Sequence, residues 1–360
     1  MAPSLPRRRL DTWLMGASLV LAGATVALHL LRVHHVAVFV TACVALLPVA
    51  GLMGKATEEL SKYAGATVGG LLNATFGNAT ELIVAAFALR AGLFEVVKAS
   101  ITGSIIGNIL VVLGFSALIG GWKRERQTFS PVAATTNGSM LVLAVVSLLV
   151  PAIFVHATPA EVASDPTVLR LGLWVAVVLI SVYAAGLLFS LKTHRDVFDG
   201  GIEHGTPEWT RGKAIAVLAA STVLVAIASE VLVKALEPIL AAGRLSPLFV
   251  GVIILPFVGN AAEHAGAVMM AARDKMGISL NIAVGSSTQI ALFVAPVLVF
   301  LSWAMGHPMT YIFDVSEIVA IAASVAVLNF IANDGSTNWL EGVQLLAAYA
   351  IMALTFFFVR

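Results

Sequence analysis

Two stretches of the 360-residue chain repeat one pattern, Gly-Asn-Ala-x-Glu. The first, NATFGNATELIVAAFAL over residues 73–89, carries Gly77, Asn78 and Glu81; the second, LPFVGNAAEHAGAVMMA over residues 255–271, carries Gly259, Asn260 and Glu263. Both lie in apolar runs, where a charged carboxylate costs roughly 3 kcal/mol or more. Each Glu must therefore be protonated, paired or bound to a cation. A lone buried Glu is commonly a protonated packing residue; two at matching positions argue for a shared role. Asn78 and Glu81 are spaced i, i+3 and so share a helix face, as do Asn260 and Glu263. Amide and carboxylate oxygens are hard ligands, suited to Ca²⁺, Mg²⁺ or Na⁺. Gly77 and Gly259 precede the Asn residues, and Pro256 removes a backbone donor just upstream. Local unwinding there would offer carbonyl oxygens as further ligands, toward the roughly 6–8 oxygens that Ca²⁺ takes.

Two carboxylates balance one divalent ion or two protons. Close together they would titrate as a coupled pair, and alternation between cation and protons is the chemistry of exchange. His264, beside Glu263, is either a proton relay or a neutral packing residue. Ser104 and Asn108 stand four apart in ITGSIIGNILVVLG, and Ser286, Ser287 and Gln289 lie together in IAVGSSTQIALFVAP. They are read as pathway residues, with helix packing the alternative for the serines. Glu58 is placed at the end of an apolar run. Glu230 has Lys234 as an i+4 partner, leaving either pairing alone or an entry role. Glu59 is read as solvated.

These groups must be held by membrane-spanning helices. Hydrophobic residues make up 59% of the chain and charged ones 11%, against about 25% charge in a soluble domain. Apolar runs long enough to span a bilayer, about 20 residues, recur at 12–31, 36–54, 66–89, 97–121, 130–154, 168–191, 212–236, 247–272, 278–304, 314–332 and 339–359. They are continuous rather than alternating, which argues for helices over a β-barrel. The fold class expected is all-α integral membrane, with about eleven spans. Cys43, the single cysteine, reads as a buried inert thiol. A net charge of +1 gives no reason to expect nucleic acid.

The two motifs lie 182 residues apart, and the same offset maps Gly103-Ser104 onto Gly285-Ser286. Five expected spans separate the copies, so they enter the bilayer from opposite sides. Inverted repeats of this kind mark secondary transporters, with ion sites near the midplane. The division expected is 1–34 (tail and extra helix), 35–191 (first five-helix repeat), 192–211 (linker) and 212–360 (second repeat). Placing the N-terminus in the cytoplasm puts 14 of the 21 Lys and Arg on that side, which favours N-terminus in and C-terminus out. The linker KTHRDVFDGGIEHGTPEWTR, with Asp196, Asp199, Glu203, His204 and Glu208, is then cytoplasmic. It is read as a solvated connection, with cation gathering as the alternative.

At GNATELI and GNAAEH, followed by GS-x-x-x-N and GSS-x-Q, the chain resembles the cation/proton exchangers of the Ca²⁺/cation antiporter superfamily. The resemblance extends to DGSTNWLEG, Asp334 to Gly342, and covers almost everything after the first span. It implies a Ca²⁺/H⁺ antiporter in which Glu81 and Glu263 alternately carry Ca²⁺ and H⁺. Asn78, Asn260 and His264 match motif positions, and Glu58 matches an acidic position on the cytoplasmic side of the path. Sodium-exchanging branches carry Asp in the second motif; Glu263 and His264 here favour protons.

The expectation is a secondary active antiporter, not an enzyme, exporting Ca²⁺ in exchange for H⁺ by alternating access. Spans 3 and 8 form the site, spans 4 and 9 flank it, and spans 2 and 7 move. Its partners are the two ions and the lipid bilayer of a bacterial plasma membrane, with no nucleic acid and no cofactor; a homo-oligomer is left open. Rivals are Na⁺/H⁺ or K⁺/H⁺ exchange on the same fold and, more remotely, a cation channel. No nucleotide-binding G-x-x-x-x-G-K-[ST] occurs, and no protease motif stands in a matching context.

Overall fold

The computed structural model describes residues 7–159, 162, 165–194, 206–243 and 245–358. Its helices in chain order are α1 (Arg7–Leu30), α2 (His35–Phe76), α3 (Ala79–Arg90), α4 (Phe94–Ile106), α5 (Leu113–Gly121), α6 (Pro131–Ala157), α7 (Asp165–Leu188) and α8 (Arg211–Ala241). There follow α9 (Pro247–Phe249), α10 (Leu255–Gly259), α11 (Ala261–Ala272), α12 (Met276–Gln289), α13 (Ala295–Ala304), α14 (Val315–Ala332) and α15 (Trp339–Phe358). Wider π-helical turns run over Gly107–Val112, Phe189–Thr193, Val250–Ile254 and Ile290–Val294. Two short strands, β1 (Gln127–Thr128) and β2 (Ser336–Thr337), pair antiparallel with Gln127 opposite Thr337.

Among the described residues nine helices are long and apolar enough to cross a bilayer, or ten if Pro247–Gly259 and Ala261–Ala272, bent by 64°, form one span. Side chains such as Phe330, 91% exposed, suit lipid rather than water. Helix ends follow local chemistry. Ser130 caps α6 ahead of Pro131, Thr210 caps α8, and Asp314 with Glu317 forms a capping box on α14, each satisfying N–H groups that have no partner inside the helix. The expected spans are recovered within a few residues except near residue 60. There α2 continues through KATEELSKYA, where Lys62 pairs with both Glu58 and Glu59, and it kinks at Gly65 (φ 75°, ψ 170°). That conformation suits glycine. The expected 66–89 run is thus joined to α2 at one end and interrupted at Gly77–Asn78 within.

By packing, the chain forms two compact units. The first gathers α1, α2, α3 and α8 with Phe257–Ala262. Here α1 and α8 both lie on α2, and α3 on α8. A core of Leu52, Ala56, Trp209, Ala214 and Val217 is flanked by Leu14, Met15, Leu60 and Leu218.

The second unit holds α4 to α7, Pro247–Pro256, and Glu263 onward. Small residues let its helices touch backbone to backbone. A Cβ at Gly103 would stand 2.3 Å from the Val252 carbonyl oxygen, and one at Gly251 2.3 Å from Ala99 Cβ. Pro256, four residues after Val252, has no N–H to return to that carbonyl. Ser279 on α12 donates to Ser116 on α5 at 2.8 Å. Thr102 on α4 donates to Glu317 on α14 at 3.0 Å. In the DGSTNWLEG stretch, the Ser336 N–H and hydroxyl hold the Asp334 carboxyl below the ordinary carboxylate range.

Candidate functional site

Both motifs fall where a helix breaks. The chain leaves helical geometry at Asn78 (φ −97°, ψ 18°) and is interrupted again at Asn260, and a new helix starts at once, α3 at Ala79 and α11 at Ala261. Glu81 and Glu263 therefore each occupy a first helical turn. The positive end of the helix dipole favours an anion there. Gly77 (φ −56°, ψ −43°) keeps helical torsions and Gly259 ends α10, so each interruption is confined to the Asn step. Pro256 lies instead inside α10, following the Val250–Ile254 π-turn.

In the first unit Asn78 and Asn260 are both 1% exposed, and both carboxylate oxygens of Glu81 are buried. The Glu81 side chain lies along Gly259. A Cβ at that position would meet Glu81 Cγ at 3.2 Å and Oε1 at 3.4 Å. The first motif's carboxylate thus packs on the second motif's glycine, beside Asn260.

In the second unit Glu263 and His264 reach different neighbours. Glu263 accepts a hydrogen bond from the Ser286 hydroxyl on α12, and its buried Oε2 has no hydrogen-bond partner among the described residues. His264 Nε2 lies 3.0 Å from Asn108 Oδ1, on the π-turn after α4. An amide oxygen only accepts, so Nε2 carries the proton in this contact. Asn108 is 1% exposed and its Nδ2 is buried without a partner among the described residues. Ser287 gives its hydroxyl to the carbonyls of Ile105 (3.3 Å) and Ala283 (3.0 Å), next to the place where α4 widens. Ser104 is 4% exposed, one residue after the tightly packed Gly103, and Gln289 closes α12.

The other acids singled out from the sequence pair with lysines. The Glu58 side chain is 65% exposed and pairs with Lys62 at 3.0 Å. Glu230, 40% exposed, pairs with Lys234 at 2.8 Å as the i+4 spacing suggested. Glu59 reverses the expectation of a solvated side chain, being 1% exposed. Lys62 reaches it at 2.6 Å, and the backbone N–H groups of Glu208 and Trp209 donate to it at 2.6 and 2.8 Å. Nothing in KATEEL separates Glu58 from Glu59; only the linker's return onto α2 does. Of the linker, 195–205 lie outside the described residues, including Asp196, Asp199, Glu203 and His204.

The pattern of the family described as "Sodium/calcium exchanger protein" matches residues 34–192 and 213–358. A Ca(2+)/H(+) antiporter of Synechocystis sp. is 46% identical over 359 residues, covering 94% of this chain and 96% of that one. The Ca(2+)/H(+) antiporter ChaA of Bacillus subtilis is 45% identical over 325 residues, covering 89% of this chain and 91% of its own. Among solved structures, native YfkE superposes with a TM-score of 0.83 at 39% identity, over 96% of this chain and 100% of that one.

Proposed function

Because the chain belongs to the sodium/calcium exchanger protein family, as a multi-pass helical membrane protein and a secondary transporter rather than an enzyme, we propose that it exports Ca²⁺ in exchange for H⁺. Glu81 and Glu263 are the carriers, holding either the divalent ion or protons, so that neither loaded state leaves large charge uncompensated in lipid. The side-chain oxygens of Asn78 and Asn260, at the two helix breaks, add hard ligands. Ser286 orients Glu263, and His264 with Asn108 lines the path. One observation carries this reading: both motif glutamates bury carboxylate oxygen in the first turn of a helix that starts at a break.

The same reading takes residues 66–89, broken at Gly77–Asn78, as an eleventh span. The architecture is then one helix, α1, plus two inverted five-helix repeats over 35–191 and 212–360. Transport proceeds by alternating access at the midplane, with α2 and α8 among the moving elements. The N-terminus faces the cytoplasm of a bacterial plasma membrane and the C-terminus lies outside, as the lysine and arginine balance favours.

The test is uptake of radioactive calcium into inverted membrane vesicles under an imposed proton gradient, with Na⁺, K⁺ and Mg²⁺ as competitors. Proton-driven accumulation of Ca²⁺ above its equilibrium level is the expected result. Movement of Na⁺ or K⁺ without Ca²⁺ would refute the cargo, and purely downhill Ca²⁺ flux would indicate a channel.

A further inference from the structure

The two segments that the family pattern leaves out are bound to each other. That pattern begins at residue 34 and resumes at residue 213, so it omits α1 and the end of the linker. Trp209, in the linker, is 4% exposed, and its indole Nε1 donates to Asp11 Oδ2 on α1 at 2.9 Å. Lys55 of α2 bonds the other oxygen, Asp11 Oδ1, and stands 3.6 Å from Glu208 Oε2. Glu59 of α2 collects the backbone N–H groups of Glu208 and Trp209. Tyr63, one turn on, donates to the Trp209 carbonyl at 2.6 Å. Lys55 and Lys213 stand over the indole ring, 5.2 and 4.4 Å from its centroid. Beneath these groups, Leu14 and Met15 of α1 meet Leu52 and Ala56 of α2 and Val217 of α8 around the same tryptophan.

An exposed ion pair contributes little and breaks easily. This network differs, because its central carboxylate is buried and fully engaged, and breaking such a group leaves an uncompensated charge. Separating the partners of such a contact therefore costs more than separating an exposed pair. We propose that α1, the linker end, α2 and α8 travel as one rigid body during transport, with Glu59, Asp11 and Trp209 as positioning residues that keep α1 and α8 on α2. The extra helix is then a passenger of the moving element. This rests on the alternating-access reading above.

The experiment uses the full chain reconstituted in proteoliposomes, carrying Cys43→Ala, Met15→Cys and Leu218→Cys, with and without joining by a short bismaleimide. If α1 rides with α8, linked protein exchanges Ca²⁺ within about threefold of unlinked protein; a larger loss, as expected when a rate-setting motion is blocked, overturns the proposal. Absence of exchange in the unlinked protein would instead count against the antiporter reading. In parallel, Glu59→Gln and Trp209→Phe should each lower the maximal exchange rate about threefold or more while leaving half-saturating Ca²⁺ unchanged, and Glu59→Asp should recover part of the rate. A rise in half-saturating Ca²⁺ in step with the lost rate would also overturn the proposal, since it would place these residues on the ion path.

Discussion

At the scale of single residues, Glu81 and Glu263 each bury carboxylate oxygen in the first turn of a helix. Glu81, Glu263 and their Asn partners stand out because buried acids at matching offsets have few uses. If they carry the exchanged ions, Glu81→Gln or Glu263→Gln abolishes proton-driven Ca²⁺ uptake while the protein still inserts and elutes as a folded species in detergent. Near-normal uptake by either variant would contradict the assignment. Ser286 gives Glu263 its one resolved hydrogen bond. Loss of a hydrogen bond to a charged group is worth about 1.5–3 kcal/mol, so Ser286→Ala should raise half-saturating Ca²⁺ about tenfold or more in the same flux assay. The sequence did not distinguish the 65%-exposed Glu58 side chain from the 1%-exposed Glu59 one beside it. Their difference comes from a linker that closes onto α2 roughly 150 residues later, and no local rule reports a contact of that length.

At the scale of elements, hydropathy located the spans because a bilayer demands a fixed apolar length. It located their interruptions less well. The joint at Gly65 was missed, since an apolar count does not register a backbone with φ of 75°. Close packing gives a sharper contrast between the glycines of the two Gly-Ser pairs. A Cβ at Gly103 would fall 2.3 Å from the Val252 carbonyl oxygen and 2.6 Å from Pro256 Cγ, whereas one at Gly285 would meet nothing within 4 Å. Backbone cannot swing aside as a side chain can, and overpacking typically costs about 1–3 kcal/mol. Gly103→Ala is therefore expected to lower the thermal unfolding midpoint of the purified protein clearly, and Gly285→Ala to leave it close to wild type. Equal shifts for the two would contradict this account of the α4 packing.

At the scale of the whole molecule, composition decided the class. With 11% charged residues the chain has too little polar surface to be wetted by water alone, and the family match agrees with a helical membrane protein. The proposed orientation makes a separate prediction: a reporter active only in the cytoplasm should be active when fused before residue 7 and inactive when fused after residue 358. The opposite result would invert the proposed direction of every span. One feature was not legible in composition or periodicity, namely the wide turns at Gly107–Val112 and Ile290–Val294. Such a turn holds a residue more than an α-helical one, and each α-helical residue rotates the chain by about 100°. Excising a single residue such as Ile109 would close the wide turn to an ordinary one and leave what lies beyond it in nearly the same register, whereas the same excision from a uniform stretch would swivel the remainder by that amount. Among natural relatives, one-codon deletions should therefore be commoner within these two windows than in the uniform helices on either side.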